Sequence, residues 1–284
     1  MLMTACAAPG TTGPTAFRSD RISVTTIGSG PDVVLVPGLA SSPEVWAGTA
    51  AAVPGYRYHL VQVAGFAGVP PRGNASGPVM APVAEEIARY IRENNLKRPS
   101  IVGHSMGGSI ATMVTTRHPE AVSRLMVVDM LPFLGLLFGP PGTTAESVRA
   151  TADALRDRAL ANNDEERRRS IEASVATMVV DEGRRADPIR HALASDRDVT
   201  ARAFHELITT DLRPELGKIK VPVTVLYVKT PNVPLDEAQF DAVYKASYAG
   251  VPQAELKRIA GSYHFIMFDQ PQRFAEELRA FLRR

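Results

Sequence analysis

The chain has 284 residues, 32 basic against 30 acidic, with 45% hydrophobic and 6% aromatic residues and a formal net charge of +2. That length accommodates one large α/β domain or two small ones, and an apolar share near one half excludes disorder as the main state. Near-neutral charge, scattered basic residues and no aromatics interleaved with them give no reason to expect nucleic acid or an anionic membrane as a partner, and no run of about 18 uncharged apolar residues is present to span a bilayer.

The single cysteine, Cys6, excludes a disulfide framework within the chain and any thiolate metal cluster. It follows Leu2-Met3-Thr4-Ala5, like the approach to a bacterial lipoprotein cleavage site, and precedes a Pro/Gly/Thr-rich stretch from Ala7 to Thr15. Residues 1–17 are therefore expected to be a flexible tether or the remnant of an export signal. On that reading the protein is exported, periplasmic or lipid-anchored through Cys6. On the other it is cytoplasmic, with a frayed terminus and an incidental thiol.

Along the chain, short β-rich apolar runs alternate with helical stretches, the pattern of an α/β fold with a mainly parallel sheet. Arg21 to Ile27 alternates like an early strand, and Asp32 to Val36 is a buried-strand run ending at Pro37-Gly38. Ser42-Pro43-Glu44 supplies an N-cap and a proline at the first helical position. Tyr58 to Val63 reads as a strand, and Val79 to Asn94 as a helix through Val83, Ile87, Tyr90 and Ile91. A strand over Pro99 to Val102, a helix from Ser105 to Arg117 and a strand over Leu125 to Val128 follow. The alternation then stops: 131–217 reads as an all-helical, charged insert whose Asp164-Glu165-Glu166-Arg167-Arg168-Arg169 run suits a solvated helix face. Strands resume at Val221 to Val228 and Glu255 to Ile259, and an amphipathic helix closes the chain from Pro271. The expected organisation is one core, 18–130 with 218–284, interrupted by a helical cap over 131–217.

Gly103-His104-Ser105-Met106-Gly107-Gly108 lies between a strand and a helix. A serine on so sharp a turn needs glycines two residues to either side, and the turn raises its hydroxyl above the sheet beside the free N–H groups of the helix start. The alternative is a glycine-bounded turn with a satisfied serine. At this motif the chain resembles α/β-hydrolase-fold serine hydrolases of the esterase/lipase kind, a resemblance that covers roughly Arg21 to Leu282. It implies an α/β-hydrolase fold, a mainly parallel central sheet with helices on both faces and an inserted helical cap, and a Ser, acid, His order along the chain.

His264 follows the last strand in Gly261-Ser262-Tyr263-His264-Phe265, where this fold presents its base. His59, His118, His191 and His205 are expected to be surface or packing residues, as is His104, with its ring turned away from the nucleophile. Many relatives carry their acid in the turn after the penultimate strand, but here Tyr227 to Pro234 holds no carboxylate. Asp129, at the end of the strand after the elbow helix, is the preferred acid. Asp236 is the alternative, although capping alone explains it, and Asp129 could likewise merely end its strand. Val36-Pro37-Gly38-Leu39 stands where the family has its His-Gly-x loop, so the backbone N–H groups of Leu39 and Met106 are the expected oxyanion donors. Pro37 in place of the histidine leaves the loop's supporting hydrogen bonds open. The segment Gln62 to Gly68 departs from the family's Asp and G-x-G, and is expected to be structural near the site mouth.

Phe66, Phe133, Leu134 and Leu137 are expected to wall a substrate pocket, with Met178 and Phe204 packing the insert first and lining the pocket second. The resemblance implies hydrolysis of a small, uncharged carboxylic ester through an acyl-enzyme on Ser105, without metal or organic cofactor. Lactone hydrolysis, amide hydrolysis, C–C cleavage and cofactor-free perhydrolysis use the same triad and stay open, as does a non-catalytic binding protein on this fold. Haloalkane and epoxide hydrolysis would need a carboxylate nucleophile. The sequence does not set the oligomeric state.

Overall fold

A computed structural model describes residues 17–140, 142–231 and 233–283. The expectations for Cys6 and for 1–16 lie outside the described residues. Seven strands form a single sheet: β1 (Ile22–Gly28), β2 (Asp32–Val36), β3 (Arg57–Val63), β4 (Ser100–His104), β5 (Arg124–Val128), β6 (Val223–Tyr227) and β7 (Glu255–Arg258). Their spatial order is β1-β3-β2-β4-β5-β6-β7, with β1 antiparallel to β3 and every other neighbour parallel.

The central strands are rich in Val, Ile and Leu on both faces because both faces are covered. Alternate side chains go to opposite sides. Val34, Val36, Ile101, Val127 and Val225 face a core shared with α2 (Met80–Glu93), α3 (Met106–Arg117) and α8 (Glu237–Ser247). Val33, Leu35, Val102, Met126 and Leu226 face the other, with Trp46 and with Phe274, Leu278 and Phe281 of α10 (Pro271–Arg283). Each such side chain, fully buried, contributes about 1.5–3 kcal/mol of transfer free energy. That double burial holds the C-terminal ends of β4, β5 and β6 rigidly side by side.

Ser42 caps the segment after β2 as its sequence predicts, accepting from the Glu44 N–H at 3.0 Å. The first turn is 3-10, over Pro43–Trp46, before α1 (Ala47–Ala52). Between β5 and β6 the chain forms α4 (Arg149–Ala161), α5 (Asp164–Ala176), α6 (Ala186–Ala194) and α7 (Arg197–Thr209), with no strand among the described residues there. The charged run does start a solvated helix: Asn163 and Glu166 form a capping box on α5.

The insert is tied to the sheet at several points. Both oxygens of the Glu206 carboxylate accept backbone N–H groups at the start of α2, Val79 at 2.7 Å and Met80 at 2.9 Å. Burial nonetheless pushes the Glu206 carboxyl above its ordinary range, the two N–H groups only partly opposing it. The loop after β3 is a second anchor, through Asp196 N–H to Gly65 O (2.8 Å) and Ala67 N–H to Ser195 Oγ (2.8 Å). Gly65 has a φ of +95°, and a Cβ there would lie 2.8 Å from Val199, so only glycine lets α7 approach. The structural role expected for Gln62 to Gly68 has this physical content.

Candidate active site

Parallel strands present their C-terminal ends to one edge, and loops from neighbouring strands therefore converge there. Gly103 pairs with Val127 and His104 with Val128, which puts Ser105 and Asp129 next to each other, one residue past their strands. The turn at Ser105 is sharp, with φ 53° and ψ −125°. The glycines make it possible: a Cβ on Gly103 would lie 2.1 Å from Gly107 O, and one on Gly107 would lie 2.2 Å from Val36 O. Ser105 begins α3 without spending its hydroxyl on a capping bond. Met106, fully buried, is the first residue of that helix, where an N–H lacks an intrahelical acceptor. The loop after β2 abuts the elbow so closely that a Cβ on Gly38 would lie 3.0 Å from Ser105 Cβ, and Leu39 next to it is half-buried on the cavity wall.

Asp129 also has a positive φ, 52°, and its N–H is held by Leu226 O at 2.7 Å. The carboxylate is divided between two tasks. Oδ1 accepts the Val228 N–H at 3.0 Å, with the Tyr244 hydroxyl at 3.4 Å, and Oδ2 lies 2.6 Å from His264 Nδ1. Fixing Nδ1–H leaves Nε2 as the ring's free nitrogen. Burial first, then the nearby Asp129 charge, drives the Tyr244 hydroxyl well above its ordinary pKa, so it stays a donor. Asp236 is exposed and caps α8, accepting from the Gln239 N–H at 2.8 Å in a capping box. The turn after β6 needs no acid because β5 is β6's neighbour, and a carboxylate at its end reaches the same histidine.

His264 sits in the loop after β7, before α9 (Ile266–Asp269). Three successive backbone groups hold that loop. The Tyr263 N–H donates to Asp269 (2.8 Å), the His264 carbonyl accepts from His104 Nε2–H (3.0 Å), and the Phe265 N–H donates to Met178 O (3.1 Å). The expectation that His104 turns away from the site is corrected here. Its ring is 1% exposed, borders the cavity and lies 4.6 Å centroid to centroid from the His264 ring. Burial, reinforced by the neighbouring His264, holds its pKa well below 6.5, so it stays neutral with its single proton on the nitrogen facing the carbonyl. Periodicity could not signal this, since the position is simply the last residue of a buried strand.

Ser105, Asp129 and His264 all border one cavity of about 1200 Å³, largely apolar, open to solvent and bordered by α4, α5, α6 and α7. Leu134 and Leu137 line it, as do Met178 and Phe204. Phe66 and Phe133 do not. Phe66 is 0% exposed in the core against α2 and α7, and Phe133, also 0% exposed, packs with Val148, Ala152 and Ile208 under the Arg213 guanidinium. Both rings are taken up by packing, where full burial of a phenyl group is favourable, and neither reaches the cavity. No group of side chains among the described residues could hold a metal ion, and no described helix is long and apolar enough to cross a membrane.

Comparisons with known proteins agree with this architecture. A pimeloyl-[acyl-carrier protein] methyl ester esterase of Aeromonas hydrophila is 27% identical over 276 residues, covering 92% of this chain and 99% of the relative, and its counterpart in Aeromonas salmonicida is 28% identical over 272 residues. Among solved structures, an esterase from Exiguobacterium antarcticum superposes with a TM-score of 0.77 at 24% identity over 93% of this chain and 96% of its own. An enol-lactonase from Burkholderia xenovorans does so at 0.72 and 18%, over 93% and 96%. The profile of the alpha/beta hydrolase family matches residues 33–277. With that match spanning most of its length, the chain belongs to the alpha/beta hydrolase family and is an esterase-like hydrolase.

Proposed function

We propose that the chain is a serine hydrolase of carboxylic esters, with Ser105 as nucleophile, His264 as general base and Asp129 as the acid that orients it. The observation that carries the reading is the 2.6 Å pairing of Asp129 Oδ2 with His264 Nδ1 on the wall of the cavity that Ser105 also borders. In the forward step Ser105 Oγ attacks the ester carbonyl while His264 Nε2 takes its proton. That proton then goes to the departing alcohol, leaving an acyl-enzyme and a neutral imidazole. Water repeats the sequence, its proton passing through His264 back to Ser105, and the acid is released. The N–H groups of Leu39 and Met106 receive the oxyanion, and His264 gains a charge that Asp129 is placed to balance.

Residues 131–217 act as the cap. The largely apolar surface of the cavity supports an uncharged acyl group, and the likeness to methyl ester esterases over nearly the full chain supports an ester as substrate. A fluorophosphonate probe tests the assignment: covalent labelling at Ser105, lost in Ser105→Ala and strongly slowed in His264→Ala, is the expected result. Folded protein that does not label overturns it.

A further inference from the structure

One side chain bridges the loop that carries His264 and the insert. Asp269, the last residue of α9, has its carboxylate shared between two segments that are otherwise far apart in sequence. Oδ1 accepts the N–H groups of Val180 (2.9 Å) and Asp181 (3.2 Å), in the connection between the insert's α5 and α6. Oδ2 accepts the Tyr263 N–H at 2.8 Å and lies 3.3 Å from the Ser262 hydroxyl. Each oxygen thus serves one side. The backbone adds a parallel tie, Phe265 N–H to Met178 O, and Met178 borders the cavity.

From this we infer that Asp269 is a positioning residue that couples the insert's placement over the cavity to the orientation of His264. The inference rests on the reading of His264 as general base. A carboxylate that accepts several N–H groups is held by charge-assisted bonds at both ends and transmits a shift of one segment to the other. Segment 175–178 borders the cavity and is continuous with 180–181, so a substrate pressing on Val175 and Met178 bears on the base loop through this side chain. Asparagine is nearly isosteric but has only one oxygen. Whichever way its amide turns, one of the two segments faces an NH2 group where it had an acceptor.

The test compares wild type, Asp269→Asn, Asp269→Glu and His264→Ala, each checked for folding by thermal melting, on p-nitrophenyl acetate and p-nitrophenyl octanoate. Asp269→Asn is expected to lose about tenfold or more in kcat with KM changed by less than about threefold, because base orientation rather than binding is lost. The loss should be larger for the octanoate, which reaches the insert, and Asp269→Glu should recover part of it. Asp269→Asn within about twofold of wild type on both esters, with His264→Ala inactive, overturns the coupling and leaves the triad standing. Activity retained in His264→Ala overturns the triad and the coupling with it. Should Asp269→Asn not fold, hydrogen exchange on wild type decides. Shared protection of the Val180, Asp181 and Tyr263 amides that rises together after fluorophosphonate labelling supports the coupling, and independent exchange of the two segments overturns it.

Discussion

Ser105 and Asp129 occupy equivalent positions on adjacent strands, each one residue beyond the last paired residue and each with a left-handed backbone, φ 53° and 52°. Neither is glycine, and conformations of this kind cost on the order of 1–3 kcal/mol each unless the surroundings hold them. The surroundings do so here by hydrogen bonds from each residue's own N–H to the next strand: Ser105 to Val128 O at 2.9 Å, Asp129 to Leu226 O at 2.7 Å. Both side chains are thereby lifted off the sheet edge toward the same cavity.

That placement separates the two candidate acids. Asp129→Asn keeps the shape of the carboxylate but offers His264 an amide, which favours the wrong tautomer, and kcat on a p-nitrophenyl ester should fall by roughly 10²–10⁴-fold. Asp236→Asn should leave kcat unchanged within about twofold and cost at most about 1 kcal/mol of stability, since an asparagine still caps α8. A collapse in the Asp236 variant alone would refute the assignment.

The elbow can be tested without touching a functional group. A methyl group on Gly107 would meet Val36 O at 2.2 Å and Pro37 O at 2.6 Å, both rigid backbone atoms. Gly107→Ala must therefore push α3 away from the loop after β2, which carries Leu39. The expected result is a loss of about 1–3 kcal/mol or more in urea unfolding, with the fluorophosphonate labelling rate falling further than stability alone accounts for. Unchanged labelling and stability would show that the helix start is not packed as described.

Much of this was readable from residue types because the physics involved is local. Strand positions followed, to within a residue or two, from double burial, which leaves Val33–Val36 and Leu125–Val128 as continuous apolar runs, and the elbow followed from glycines that sterics demand. Asp129 was readable as a lone carboxylate in an apolar stretch. What depended on distant packing was not. The inward turn of Phe66 and Phe133, the ring of His104 against the His264 carbonyl, and the two-sided use of Asp269 are set by which loops meet in space. In sequence, Asp269 looks like an ordinary acidic residue before Gln270-Pro271.

Acid should destabilise the fold through histidines that are buried neutral. Burial holds His104 well below its ordinary value of 6.5, and His59 is lowered in the same sense, burial outweighing the hydrogen bond it donates to Asp32 and the charge of that carboxylate. With the folded pKa below the unfolded one, only the unfolded chain takes up the proton between the two. Stability is therefore complete above about pH 6.5 and declines as pH falls toward the folded value, by up to about 1.4 kcal/mol per pH unit for each group. Urea unfolding at pH 7.5, 6.5 and 5.5 should show the decline, and His104→Gln should make it shallower. Parallel curves for wild type and variant would exclude His104 as a contributor.

The cavity wall and the core beneath it should respond differently to truncation, although Phe133 and Leu134 are adjacent in sequence. Leu134 and Leu137 border the cavity, and Leu137 is 47% exposed, so Leu134→Ala and Leu137→Ala remove surface that a bound acyl chain would cover. KM for a long-chain ester should rise, by a factor that grows with chain length, at about 0.8 kcal/mol per CH2 group left in water. The melting temperature of Leu137→Ala should move little, and that of Leu134→Ala more, because Leu134 also packs against the core. Phe133 is fully buried with Val148, Ala152 and Ile208, and its truncation opens a hole in the base of the insert. Phe133→Ala should cost about 3–5 kcal/mol of stability while leaving the chain-length preference of the surviving folded enzyme as in wild type. If chain-length preference shifts in Phe133→Ala and not in the leucine variants, the wall of the acyl site lies deeper than the cavity surface described above.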